Sequence, residues 1–307
     1  MNSKLRAWVL ILLVAGICGL SIWGVAWYRS RSFTPQTLLE RLPAGDALIV
    51  YVDFDALRRD GILKLLNAPA VAEDPEYVDF VRKTEFDYKQ DLNSAMVAFL
   101  PTGKFLLLKG RFDWKSLRAY VTGQSGTCYN SLCRMAGSTP DRRISFFPLQ
   151  SGLMALAVST DDSAALQMRD SHPKRTMEIP DAPVWLSVPP SVLRADNSLP
   201  TGTRMFARSL ESAEMLTLSF VPEGTRIAAK LNVLCRNDQD ASDLAGQLSA
   251  TTSLLRDLIS REHDKPNPAD LSGVLTSGSF RSQGKRVFGY WPIERSFLEN
   301  MLSGGAS

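Results

Sequence analysis

The residues best placed to do chemistry in this 307-residue chain are two carboxylates, Asp53 and Asp55, in "LIVYVDFDALRRDG" (48–61). Two acids spaced D-x-D at the end of an apolar run can hold a magnesium ion while one of them attacks phosphorus, as in a magnesium-dependent phosphohydrolase. A second acidic pair, Asp161 and Asp162, follows "LMALAVS", so the sharpest catalytic expectation is an acidic site of Asp53, Asp55 and Asp162. That chemistry needs parallel βα units between the two pairs, whereas residues 90–160 read as strands joined by short connections. The motif is also short and common.

The other catalytic classes find less support. His172 and His263 stand apart from any Ser-Gly elbow or cysteine, so no nucleophilic triad can be assembled. "PTGKF" (101–105) lacks the glycine spacing and the following Ser or Thr of a phosphate-binding loop, and reads as a hairpin turn. The expectation is a non-enzymatic chain with no cofactor and no metal. Cys128 and Cys133 lie five positions apart in "GTCYNSLCRMAG", a Gly/Ser-rich loop, and can bridge in an oxidising compartment or remain free thiols. A bridge closing so short a ring stabilises by roughly 2 kcal/mol in the chain-entropy model. Trp114, Trp185 and Trp291 lie near strand ends, where they either fill the core or line a groove between two halves for a lipid or peptide.

Five strand-to-helix junctions set the acids in context. "LIVYV" leads to "DFDALRRDGILKLL", "FLLLKGRF" to "DWKSLRAYV", and "LMALAVS" to "TDDSAALQM". "RIAAKLNVLC" leads to "RNDQDASDLAGQL", and "KRVFGYW" to "PIERSFLENML", where Pro292 fits a first helical turn. In four of the five, an Asp, Thr or Asn stands where the strand ends. Such side chains accept hydrogen bonds from the free N–H groups of the first turn, for about 1 kcal/mol each. Asp53 and Asp55 thus belong to a series of caps.

The elements between the junctions are antiparallel in style. Leu216, Leu218 and Phe220 alternate with Thr217 and Ser219, which the pattern turns outward. After a turn at Pro222-Glu223-Gly224, Ile227, Ala229, Leu231, Val233 and Cys235 point inward. Ala241, Leu244, Leu248, Thr251, Leu255 and Leu258 then make a helical stripe for packing on a sheet. The fold class expected is α+β: an N-terminal transmembrane helix, then two similar halves of mainly antiparallel sheet with helices on one face.

Ala7 to Tyr28 contains no charge; as a helix those 22 residues span about 33 Å, against a hydrocarbon core of about 30 Å. Trp8 stands at one end and Trp23, Trp27 and Tyr28 at the other, as side chains that favour the headgroup region do. The reading is an uncleaved anchor; a signal peptide cleaved near "GVA" (24–26) is the alternative. Flanking charges are close to a tie, Lys4 and Arg6 against Arg29 and Arg31. The short N-terminal tail suits the inside, which places the bulk of the chain in the periplasm, anchored in a bacterial inner membrane. Those four cations belong to a total of 35 basic residues against 32 acids, and no acid precedes residue 32. The rest of the chain therefore carries 31 basic against 32 acidic side chains, without the basic face a nucleic-acid partner needs.

"LLERLPAGDALIVYVDFDALRRDGIL", "FDYKQDLNSAMVAF" and above all "LLLKGRFDWKSLRAYV" resemble an uncharacterised bacterial family of single-pass, membrane-anchored extracytoplasmic proteins with a duplicated α+β region. The resemblance runs from about residue 36 into the second half, through "DAPVWLSVPPSVL" and the 215–259 hairpin and helix, and implies no substrate or catalytic residue. The expected organisation is a tail and anchor (1–31), a linker (32–45), a first half (46–175), a second half (176–302) and a tail (303–307). The function expected is a structural or interaction module. Its alternatives are an apolar-ligand binder between the halves and the phosphohydrolase.

Overall fold

Alternation along β1 (Leu48–Asp53) sends Ile49 and Tyr51 to one sheet face and Leu48, Val50 and Val52 to the other. The computed structural model describes residues 33–43, 45–63, 75–139, 141–170, 177–193, 210, 213–261 and 266–302. Ala7 to Tyr28, His172, His263 and the 303–307 tail lie outside them. Among the described residues no helix is long and apolar enough to cross a membrane. The chain divides into two compact units, 1–38 and 39–307. In the first, Thr34 starts the short helix α1 (Pro35–Leu39), its carbonyl accepting from the Leu38 N–H at 3.1 Å.

In the second unit, β1 is followed by helices α2 (Phe54–Arg59), α3 (Pro75–Thr84) and α4 (Tyr88–Asp91). Strands β2 (Leu92–Leu100) and β3 (Gly103–Gly110) lead to α5 (Trp114–Gly123). Next come β4 (Thr127–Tyr129), β5 (Leu132–Ala136), β6 (Arg143–Gln150), β7 (Leu153–Ser159) and a 3-10 helix (Ala164–Met168). Then follow β8 (Val184–Val188), α6 (Pro190–Leu193), β9 (Ala213–Glu223), β10 (Arg226–Cys235) and α7 (Asp238–Arg261). The chain closes with α8 (Leu271–Thr276), β11 (Ser279–Gln283), β12 (Arg286–Glu294) and α9 (Arg295–Leu302).

Among the described residues, twelve strands form one antiparallel sheet in the order β11-β12-β10-β9-β8-β1-β2-β3-β7-β6-β5-β4. Outward from the central β1–β8 pair the strands run β1-β2-β3-β7-β6 on one side and β8-β9-β10-β12-β11 on the other. In each direction the long helix, α5 or α7, follows the third strand. The architecture is thus α+β on a large antiparallel sheet.

Helices α5 and α7 cover the same face. Leu117 and Val121 of α5 pack on Cys133, Phe146 and Met154, while Ala241, Leu244, Ala245 and Leu248 of α7 pack on Leu216, Leu231, Val233 and Val287. The α7 stripe passes through Thr252 where Thr251 was expected, keeps Leu255 against the cluster and leaves Leu258 46% exposed. The opposite face is covered as well, so the expectation of one helical face is corrected. There the 3-10 helix donates the Ala165 N–H to Ser145 Oγ at 3.1 Å, and Met96, Ala98, Phe105, Leu107, Ala155 and Ala157 are all fully buried. Thr217 and Ser219, expected outward, are buried on that face too, beside Trp185, which stacks on Tyr51 at 5.5 Å. Hydroxyls tolerate such a place when they find acceptors; Ser219 Oγ donates to the Lys230 carbonyl.

Two further expectations are corrected. Pro292 lies in β12 opposite Ala228, not in a helix. β11 begins at Ser279, opposite Tyr290, so the outer side of β12 is open at Pro292 and the missing N–H breaks no ladder there. The cysteine-bearing stretch is a hairpin, β4–β5, turning through Asn130 and Ser131, both at positive φ.

Caps stand at α2, α5 and α7 as the junctions placed them. At the 3-10 helix, by contrast, the cap is Ser163, without a side-chain bond, and the α8 cap follows no expected junction. Asp113 accepts from the Lys115 and Ser116 N–H groups at the start of α5, and Asn237 from Asp240 N–H in the first turn of α7. Asp161 accepts from Ser163 before the 3-10 helix, and Asp270 from Ser272 and Gly273 at α8. Asp113, Asp161 and Asp270 are all held below the usual carboxylate range, first by the hydroxyls of Ser116, Ser163 and Ser272, then by backbone donors. Their charged forms are favoured by folding, so this stability is complete above about pH 4 and lost as pH falls through the lower folded values. Circular dichroism between pH 6 and pH 2 should therefore show an acid transition below about pH 4, made shallower by Asp113→Asn.

Candidate functional site

Asp53 ends β1 and caps α2, its Oδ1 accepting the Ala56 N–H at 2.8 Å, while its own N–H donates to the Pro183 carbonyl at 2.7 Å. Asp55 pairs with the Arg58 guanidinium and accepts from Asn93 Nδ2 at 2.6 Å. Arg58 donates onward to the carbonyls of Lys89 and Leu92, tying α2 to α4 and β2. Both carboxylates thus have structural partners. Asp162 is far from them. Asp53 is level with Ser94, Lys109 and Leu153 across the sheet, whereas Asp162 follows Ser159 at the other end of β7. Six residues along a strand make about 20 Å, and three strand spacings about 14 Å, far more than one ion can bridge. Asp162 sits beside Arg134 at 3.6 Å instead. Among the described residues no group of three or more His, Cys, Asp or Glu is arranged to hold a metal. Asp53→Ala should lower stability by about 1 kcal/mol in urea denaturation, and Asp53→Asn, which keeps a cap, should leave it nearly unchanged.

Cys128 and Cys133 form a disulfide across the β4–β5 hairpin. Cys133 is buried in the cluster under α5, with Cys128 packed against its edge. Cys235 is a buried thiol in the α7 cluster, pushed up by burial, as its place in the inward set of β10 implied. The three tryptophans share no groove. Trp114 opens α5 and donates Nε1 to the Ser151 carbonyl, while Trp185 and Trp291 lie on opposite sheet faces.

Among the pockets of the described residues, the most apolar is a cleft of about 290 Å³, partly open to solvent, formed by elements between Phe80 and Leu156. Its floor is the α5-covered sheet face: Leu108 of β3, Met154 and Leu156 of β7, Ile144 and Phe146 of β6, and Met135 of β5. Register brings these together, Leu108 opposite Met154, Leu156 opposite Phe146 and Ile144 opposite Met135. The roof comprises Phe80 of α3, Phe86, Phe112, and Leu117, Tyr120 and Val121 of α5.

Aromatic contacts brace that roof: Phe80 meets Tyr120 edge-on at 5.1 Å, and Phe86 stacks on Phe112 at 5.4 Å. Glu85, at positive φ, turns the chain between α3 and Phe86. Polar ties fix the supporting elements. Tyr77 donates to Asp87 Oδ1 at 2.8 Å; burial first, and then this bond, push the Tyr77 hydroxyl well up, and Arg111 pairs with Asp91 at 2.8 Å. Tyr120 carries the one hydroxyl in the lining. Sequence reading missed Phe80, Phe86, Phe112 and Tyr120 as a group. The available signal was the aromatic density of "YVDFVRKTEFDY" (77–88).

Fold and cavity define the class: an α+β protein on one large antiparallel sheet with an apolar chamber under its helices. The same fold occurs in TP0453, whose crystal form III matches with a TM-score of 0.52 at 10% identity, over 89% of this chain and 99% of that one. Crystal forms I and IV give 0.49 and 0.48 at 11% and 10% identity, covering 90% and 89% of this chain and 99% and 97% of those. At such identity the likeness concerns the fold alone. No family model matches the sequence, and no curated protein matches it.

Proposed function

We propose that this chain is a membrane-tethered, extracytoplasmic binding module that holds an apolar ligand in the cavity of its first half and performs no covalent chemistry. The cavity carries the reading. Protein interiors pack with few voids larger than a water molecule, so about 290 Å³ walled by apolar side chains is room for a ligand, at the lower end of small-molecule pockets. An apolar pocket with a single hydroxyl in its wall offers water few partners and favours apolar guests.

The Cys128–Cys133 disulfide favours the extracytoplasmic placement, since such bridges persist in oxidising compartments. The uncharged Ala7–Tyr28 segment supplies the tether. The matching strand orders on either side of β1–β8 favour a duplicated origin for the two halves.

Two measurements test the proposal. N-phenyl-1-naphthylamine added to the full chain in nanodiscs should brighten more than with the cavity-filling Leu156→Trp variant; equal fluorescence sinks the ligand reading. After mild reduction of intact cells, a membrane-impermeant maleimide should reach the partly exposed Cys128. Labelling only after lysis overturns the extracytoplasmic placement.

A further inference from the structure

The geometry points to one class of occupant: a single unbranched hydrocarbon chain of about ten carbons, the tail of a fatty acid whose carboxylate stays in water. The inference rests on the apolar-ligand reading and sharpens it. A peptide brings an N–H and a C=O at every residue, and burying them unpaired is strongly unfavourable. Against these the lining offers one hydroxyl, that of Tyr120. A ligand seated here must therefore present almost no polar atoms to the wall.

Size narrows the class further. A methylene fills about the volume of a water molecule, about 30 Å³, so about 290 Å³ takes roughly ten of them. That is one chain, not the two of a diacyl phospholipid. Met135 and Met154 on the floor are unbranched and polarizable, suited to a guest that lies along them without a fixed ring shape.

The test uses the full chain in its membrane and a series of diazirine-bearing fatty acids of six to eighteen carbons. Labelled positions are mapped by mass spectrometry, and label on the 7–28 segment serves as the internal reference for membrane partition. Label on the Phe112 and Leu156 peptides, relative to that reference, should hold level up to about ten carbons, since cavity and bilayer gain alike per methylene, and should fall beyond that as longer chains outgrow the cavity but not the bilayer. Leu156→Trp, or Ile144→Trp should the first fail to fold, should cut it at least tenfold with the Cys128–Cys133 disulfide intact.

A diacyl phospholipid carrying the same diazirine should leave the cavity unlabelled. Cavity labelling by that phospholipid alone, or labelling indifferent to chain length, overturns the single-chain assignment and leaves the apolar-ligand reading standing. Absence of label from the cavity with every probe overturns both.

Discussion

Gly126→Ala should unfold the cavity wall first, lowering stability by about 3 kcal/mol and the melting midpoint by roughly 10 °C. Gly126 lies where the chain leaves α5 and enters β4, its N–H donating to the Val121 carbonyl at 2.9 Å. A Cβ there would come within 2.6 Å of Val121 Cγ1 and closer still to the Arg134 carbonyl oxygen, with Met135 Cβ at 3.0 Å. Backbone stands on the far side, so the collision cannot be relieved by a rotamer change. Val121 and Met135 also line the cavity, so naphthylamine binding should weaken along with stability. Gly123→Ala is the control, since nothing lies within 4 Å of its added carbon. Calorimetry showing equal melting for the two variants would remove Gly126 as the hinge point of the hairpin.

The second large effect is at Arg58. Its guanidinium serves the Asp55 carboxylate and the carbonyls of Lys89 and Leu92 at once. Truncation to alanine takes that donor from two carbonyls and leaves the half-buried Asp55 carboxylate with Asn93 alone. The side chain is about one-third exposed, so water replaces part of the loss, and the expected cost is about 2 kcal/mol. Arg58→Lys should recover little, because an ammonium cannot fork to three acceptors in the guanidinium plane. Urea unfolding of Arg58→Ala, Asp55→Ala and the double variant gives the coupling directly. Additive losses would mean that Asp55 and Arg58 do not act together, and would reopen the carboxylate to a reagent role.

Local rules made part of this legible. Asp53, Asp113 and Asn237 announce their caps because capping involves only the next two or three residues. Cys235 announces its burial through strand alternation. The α7 stripe is legible at Ala241, Leu244, Leu248 and Leu255, and fails at Thr251, where Thr252 is buried instead, and at the exposed Leu258. Thr217 and Ser219 were misjudged because alternation distinguishes two faces without saying whether the second is covered. Pro292 was misjudged because its tolerance depends on where a neighbouring strand begins. The cavity was the least legible feature. Its floor takes alternate residues from four strands spread between Leu108 and Leu156, and only the β3–β7–β6–β5 register makes them neighbours. No local pattern carries that register.

The central β1–β8 pairing has a consequence for synthesis. The ribosome delivers β1 to β7 well before Val184, so the nascent chain can assemble its first seven strands while the outer border of β1 still lacks its mate. Until β8 docks, Ile49, Val50 and Tyr51 offer an unsaturated template of the kind that recruits strands from other molecules. Translation speed between residues 159 and 184 thereby sets how long this half-finished protein is adhesive.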